Sequence, residues 1–139
     1  MEDKFVFKYD NFESTFSNSL SQLWNENYFV DLTLATADNK QISVHKVIIS
    51  SASMLFKDIL LRNSHSHPLI YLKDVNYAEL SLVMRFLYFG QCEVNSGELE
   101  AFLTCANELK ISGIHRNVQD NRDQGEEPQL TKIHQNFNC

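Results

Sequence analysis

From Tyr77 to Phe89 the chain reads as a helix that is apolar on most sides, since Tyr77, Leu80, Val83, Met84, Phe86, Leu87, Tyr88 and Phe89 leave little polar surface for water. A helix of that kind must be enclosed, so the remaining sequence has to supply elements that pack around it. Asn76 and Glu79 stand ahead of it at capping-box spacing, and Gly90 marks its end.

The flanking sequence supplies those elements. Phe5-Val6-Phe7-Lys8-Tyr9 has the alternation of a short strand. Asp10 and Glu13 have capping-box spacing before a helix whose stripe is Phe12, Phe16, Leu20, Leu23 and Trp24, ending near Asn25 to Asn27. At Tyr28 the period shortens to two: Tyr28, Val30, Leu32 and Leu34 share one face, and Phe29, Asp31, Thr33 and Ala35 the other. A turn at Ala37 to Lys40 leads to Ile42 and Val44, which predicts a hairpin. His45 to Leu61 holds two short helices, with Ser53 placed to cap the second. Leu69 to Leu72 is a short strand that tolerates Pro68 at its start. Cys92 to Val94 reads as a short strand, and Asn95 and Glu98 then open a last helix with the stripe Leu99, Phe102, Leu103, Ala106 and Leu109, and Gly113 fits its stop.

From Arg116 to Cys139 the chain turns rich in Asn, Gln and Asp, and the expectation is a folded domain over residues 1–115 followed by a disordered tail or linker over 116–139. The whole chain of 139 residues suits one domain, and ten Phe with five Tyr give it bulk for a core. A net charge of −6 repels phosphate backbones, and no dense run of Lys or Arg offsets it, so no direct nucleic-acid contact is expected. The three cysteines are widely spaced, which suits reduced thiols better than a disulfide framework. Met1-Glu2-Asp3-Lys4 is followed by no apolar leader region, and no stretch has the length of a membrane span, so neither secretion nor membrane contact is expected.

Phe29-Val30-Asp31-Leu32-Thr33-Leu34 followed by Val44-His45-Lys46-Val47-Ile48-Ile49-Ser50-Ser51-Ala52-Ser53-Met54-Leu55-Phe56 resembles the core signature of BTB/POZ domains. The likeness continues through His67-Pro68-Leu69-Ile70-Tyr71-Leu72-Lys73-Asp74-Val75, through Phe86-Leu87-Tyr88-Phe89-Gly90, and through Phe102-Leu103 with Ala106, Leu109, Ile111 and Gly113. Within that family the N-terminus and the stretch from His67 resemble the tramtrack-type insect subgroup. Phe7 and Asn11 fit its usual opening, an aromatic followed by Arg-Trp-Asn-Asn, whereas Lys8, Tyr9 and Asp10 depart from it. The resemblance implies an α+β fold with helices clustered around a small mixed sheet, plus an extra N-terminal strand and helix used in dimerisation.

It also implies a function. The chain would be a homodimer, or a larger even-numbered oligomer, serving a nuclear transcription or chromatin regulator, with other BTB or chromatin proteins as further partners. The DNA-binding elements of such regulators lie beyond the BTB domain, and this chain is expected to be a fragment or a short form. Phe5, Phe7, Phe12, Phe16, Leu20 and Trp24 are the expected dimer interface, with the first strand pairing near Cys92 to Val94 of the second copy. The alternative is that these aromatics pack inside their own monomer. Asp31 and Lys46 match the charged pair that lines the pocket at the BTB dimer seam, the alternative being an exposed acid and base.

No catalytic role is expected. His45 reads as a satisfied, partly buried histidine, and His65 with His67 lacks further ligands at any recognised zinc spacing. No nucleophile elbow, phosphate loop or zinc-protease motif occurs, and neither cofactor nor small-molecule substrate is expected. A competing reading, a substrate adaptor of a cullin-based ubiquitin ligase, calls for a hydrophobic-x-Glu element after the helix from Met54 to Leu61. The loop Arg62 to His67 holds no acidic residue.

Overall fold

The computed structural model describes residues 2–114, and the expected tail over 116–139, Cys139 included, lies outside them. Five helices, α1 (Phe12–Asn25), α2 (Lys46–Ala52), α3 (Met54–Leu61), α4 (Tyr77–Phe89) and α5 (Leu99–Glu108), surround three strands, β1 (Leu32–Thr36), β2 (Gln41–Val44) and β3 (Leu69–Leu72). The sheet order is β2-β1-β3, with β1 antiparallel to β2 and parallel to β3. This is the α+β arrangement of helices around a small mixed sheet that the sequence predicts.

The enclosed helix is α4. It packs against α1, α2, α5 and β2, and Leu80, Val83, Met84 and Tyr88 are buried. The sheet contributes Leu32, Leu34 and Val44, and α5 contributes Phe102, Leu103, Cys105 and Ala106. The hairpin register sets Leu32 opposite Val44 and Leu34 opposite Ile42, so the alternating apolar residues meet on one face.

Some boundaries differ from the periodic reading. The strand begins at Leu32, not Tyr28, because Asn27 (φ 57°) and Phe29 (φ 63°) are left-handed and break the pleat. Residues 2–9 form no strand, since among the described residues no second strand lies beside them to complete a ladder. Cys92 to Val94 is likewise outside any strand. The last helix stops at Glu108, ahead of Gly113, where Lys110 turns left-handed (φ 55°).

Capping follows tertiary contacts more than local spacing. Asn11, itself left-handed, precedes α1 without a side-chain cap, so the Asp10–Glu13 box does not form. Asn76 does not cap α4 either; Asp38 in the hairpin turn accepts the Tyr77 N–H at 3.1 Å and the Thr36 hydroxyl at 2.6 Å. The Thr36 bond is the main reason that the Asp38 carboxyl sits below its ordinary pKa. The Asn95–Glu98 box does form, around a 3₁₀ turn at Ser96–Glu98.

Ser53 links three helices. Its Oγ accepts the Phe56 N–H at 3.2 Å, capping α3, and donates to the Leu109 carbonyl at 2.6 Å beyond the end of α5. Ser112 N–H closes the same junction on the Ala52 carbonyl at 2.8 Å. With Ser53 fully buried, Ser53→Ala leaves a carbonyl and an amide without a partner, and is expected to lower unfolding free energy by about 1–3 kcal/mol in urea titrations. An unchanged midpoint would show that the junction is held elsewhere.

Candidate self-association surface

The N-terminal arm runs over residues 2–9 and makes no hydrogen bond with any other described residue. Its apolar side chains face water: Phe5 is 81 % exposed, Val6 83 % and Phe7 94 %. From Tyr9 the rings continue onto α1. Tyr9 meets Phe12 edge-on at 5.5 Å between centroids, and Phe12 stacks on Phe16 at 5.6 Å, all three exposed. The result is an uncovered aromatic ridge from the arm onto the first turns of the helix, larger than the scattered apolar residues of an ordinary surface.

The expected interface residues divide in two. Phe5, Phe7, Phe12 and Phe16 lie on the open ridge, while Leu20, Trp24 and Val94 pack partly buried against the core of their own chain. Helical geometry explains the division. Steps of four residues drift by roughly 40° each, so Phe12 and Trp24 lie about 120° apart around α1. Tyr9 joins the ridge although it was not among the expected interface residues; the signals were its alternation with Phe5 and Phe7 and its spacing of three from Phe12.

Trp24 holds α1 to the body. Its ring stacks on Tyr88 at 4.6 Å and 8°, and its Nε1 donates to the Ser43 carbonyl at 3.0 Å. The Ser21 hydroxyl donates to the Tyr88 carbonyl at 3.0 Å. Beneath this contact the Tyr88 hydroxyl oxygen accepts the His45 main-chain N–H at 2.8 Å. His45 Nε2 faces the Tyr28 carbonyl at 2.7 Å, which can only accept, so Nε2 carries the ring proton and Nδ1 accepts the Tyr88 O–H. His45 is therefore a buried histidine with both ring nitrogens satisfied, as its surroundings in the sequence suggested.

Asp31 and Lys46 meet, but through the backbone. The Asp31 carboxylate accepts the Lys46 N–H at 2.7 Å, supplying α2 with the cap that His45 does not give. The Lys46 ammonium donates to the His65 carbonyl at 2.8 Å. The pair thus organises the start of α2 and anchors the loop after α3. His65 and His67 serve the same loop: the His67 N–H donates to His65 Nδ1 at 2.9 Å, and His67 Nε2 bonds Thr33 Oγ1 at 2.8 Å. Among the described residues, no three His, Cys, Asp or Glu side chains gather as metal ligands would, and no helix is long and apolar enough to cross a membrane.

The family model described as BTB/POZ domain matches residues 20–126. The chain belongs to the BTB/POZ family. It is 35 % identical over 113 residues to the Drosophila melanogaster protein named Longitudinals lacking protein-like, covering 81 % of this chain and 88 % of that relative. It is 33 % identical over 110 residues to the fly Broad-complex core protein isoforms 1/2/3/4/5, and 33 % identical over 117 residues to the fly Sex determination protein fruitless. It covers 15 % and 12 % of the lengths of these two, with 79 % and 84 % of its own length aligned. These relatives agree with the insect tramtrack-type resemblance of the N-terminal residues. The arm and the first turns of α1 lie ahead of the span that the family model matches.

Burial pushes the thiol of Cys105 up to about 12, that of Cys92 up to about 11 and the Tyr88 phenol up to about 12. Raised folded values favour the protonated forms, so their contribution to stability is complete below the ordinary values, 9.0 for Cys and 10.0 for Tyr, and is lost as pH rises toward 12. The urea midpoint should therefore fall steadily above about pH 9. Cys105→Ala should flatten that fall; an alkaline profile identical to that of the unaltered chain would exclude Cys105 as a cause.

Proposed function

We propose that this chain is a self-associating interaction module of a nuclear transcription regulator, and that it works by joining proteins and not by catalysis. The observation that carries this reading is the N-terminal arm, whose exposed aromatics are unfavourable for a lone subunit and whose main chain is open to pairing with a second copy. In a two-fold dimer the arm of one copy would add as a strand to the other near Cys92 to Val94, a segment that lies in no strand of its own chain. Phe12 and Phe16 would extend the covered surface along α1, with Leu20, Trp24 and Val94 behind them as the packed base. Asp31 and Lys46 would lie beside the seam.

The energies favour this arrangement. Covering Phe5, Val6, Phe7 and Tyr9 is worth roughly 6–12 kcal/mol per arm as an upper estimate. Two arms together exceed the roughly 4–15 kcal/mol cost of associating two bodies over most of that range. The transcription role draws on the family and on the fly relatives.

Removing residues 2–9 while keeping α1 separates the two readings of the arm. Sedimentation over a concentration series should show a dimer for the full chain and a monomer for the shortened one, with the same helical circular dichroism. A full chain that remains monomeric at tens of micromolar, or a shortened chain that still dimerises, would overturn the assignment.

A further inference from the structure

A second open element lies away from the arm. β3 is an edge strand whose only neighbour among the described residues is β1. The Thr33 N–H donates to the Pro68 carbonyl at 3.1 Å, with Thr33 opposite Leu69. In a parallel ladder of that phase the main chains of Ile70 and Leu72 turn toward β1, and those of Leu69 and Tyr71 turn outward. The outward groups have no strand to pair with, and the side chains of Leu69 and Tyr71 are also more than half exposed. Beside the strand lies a groove of about 500 Å³ between the end of α3 and the start of β3, with Ile59, Leu60, Pro68 and Ile70 among its apolar walls.

The surroundings of this edge differ in charge from the rest of the chain. Against a net charge of −6, the segment from Arg62 to Lys73 holds Arg62 and Lys73 and no Asp or Glu, with Asp58 and Asp74 just outside it. The Lys46 ammonium is drawn to the same loop by the His65 carbonyl. The loop is also held in place, by His67 on Thr33 and by His65 on the His67 N–H, so a ligand would meet a formed surface.

We propose that the β3 edge and its groove dock an extended acidic segment of a partner protein, which adds as a fourth strand beside Leu69 and Tyr71. Main-chain bonds to the open edge would hold the segment, the groove would take its apolar side chains, and the cations around it would select for carboxylates. The site is separate from the self-association arm and does not depend on it.

The test uses fluorescent ten-residue peptides of alternating Val and Thr that end in three Glu, beside the same peptide ending in three Lys, titrated into the full chain. The acidic peptide should bind, with the lysine version at least tenfold weaker. Arg62→Glu, on an exposed side chain, should weaken the acidic peptide at least tenfold without changing the fold. Hydrogen exchange at the Leu69 and Tyr71 amides should slow on binding, and the chain lacking residues 2–9 should bind equally well. Equal affinity for both peptides, or protection that falls on other residues, would overturn the proposal. So would Leu69 and Tyr71 amides that become protected with protein concentration alone, which would mean that a second copy covers the edge.

Discussion

The contact between Tyr88 and His45 governs what the rest of the domain can do. Tyr88 sits at the end of the enclosed helix and His45 at the junction of β2 and α2, so their bonds tie the helical layer to the sheet. Because the hydroxyl and both ring nitrogens are buried, leaving any one of them unpaired would cost about 1–3 kcal/mol, and the geometry admits one arrangement that satisfies all of them. The outer face of the same tyrosine receives Trp24, and its carbonyl receives Ser21. A single residue thus fixes hairpin, core helix and α1 relative to one another. Since α1 is held along its C-terminal half, its N-terminal half and the arm are presented from a rigid base.

How much of this was legible in the sequence depended on whether the signal was local. The hairpin, both short helices with the Ser53 cap, the strand after Pro68 and the enclosed helix all follow from period and turn chemistry, and all are present. The expected boxes at Asp10–Glu13 and Asn76–Glu79 failed for different reasons, the first because left-handed Asn11 and not Asp10 precedes α1, the second because a distant acceptor takes the first amide of α4. Spacing shows that a box can form, whereas a tertiary acceptor such as Asp38, brought to Tyr77 by the hairpin turn, is invisible in the local sequence. The apolar stripe of α1 was legible as a stripe, but not its division between core and solvent, because its drift around the helix matters only once the position of Tyr88 is known. Asp31 and Lys46 were legible as a pair; that they meet through a main-chain amide was not.

Charge and apolar exposure are distributed in a way that separates two surfaces. The arm balances Glu2 and Asp3 against Lys4 and Lys8 and is otherwise aromatic, while the loop after α3 and the strand edge that follows it carry Arg62 and Lys73 and no acid between them. An electrostatic field shared by both surfaces would blur their partners. Different local character, one neutral and aromatic and the other basic, allows one to serve a second copy and the other a different chain.

The two open main chains also differ in what they can tolerate as neighbours. The arm carries Phe5 and Phe7 on one side of its alternation and Val6 on the other, so a partner must cover it on both faces, which a two-fold exchange of identical arms does. β3 is only four residues long, begins after a proline that lacks an N–H, and is followed by Lys73. Short length, proline and lysine at an edge are the features that keep strands from pairing with their own copies. An edge too short to hold a strand by main-chain bonds alone, with Arg62 and Lys73 at the two ends of its segment, leaves selection to the groove and to charge, and so favours a different chain that brings carboxylates.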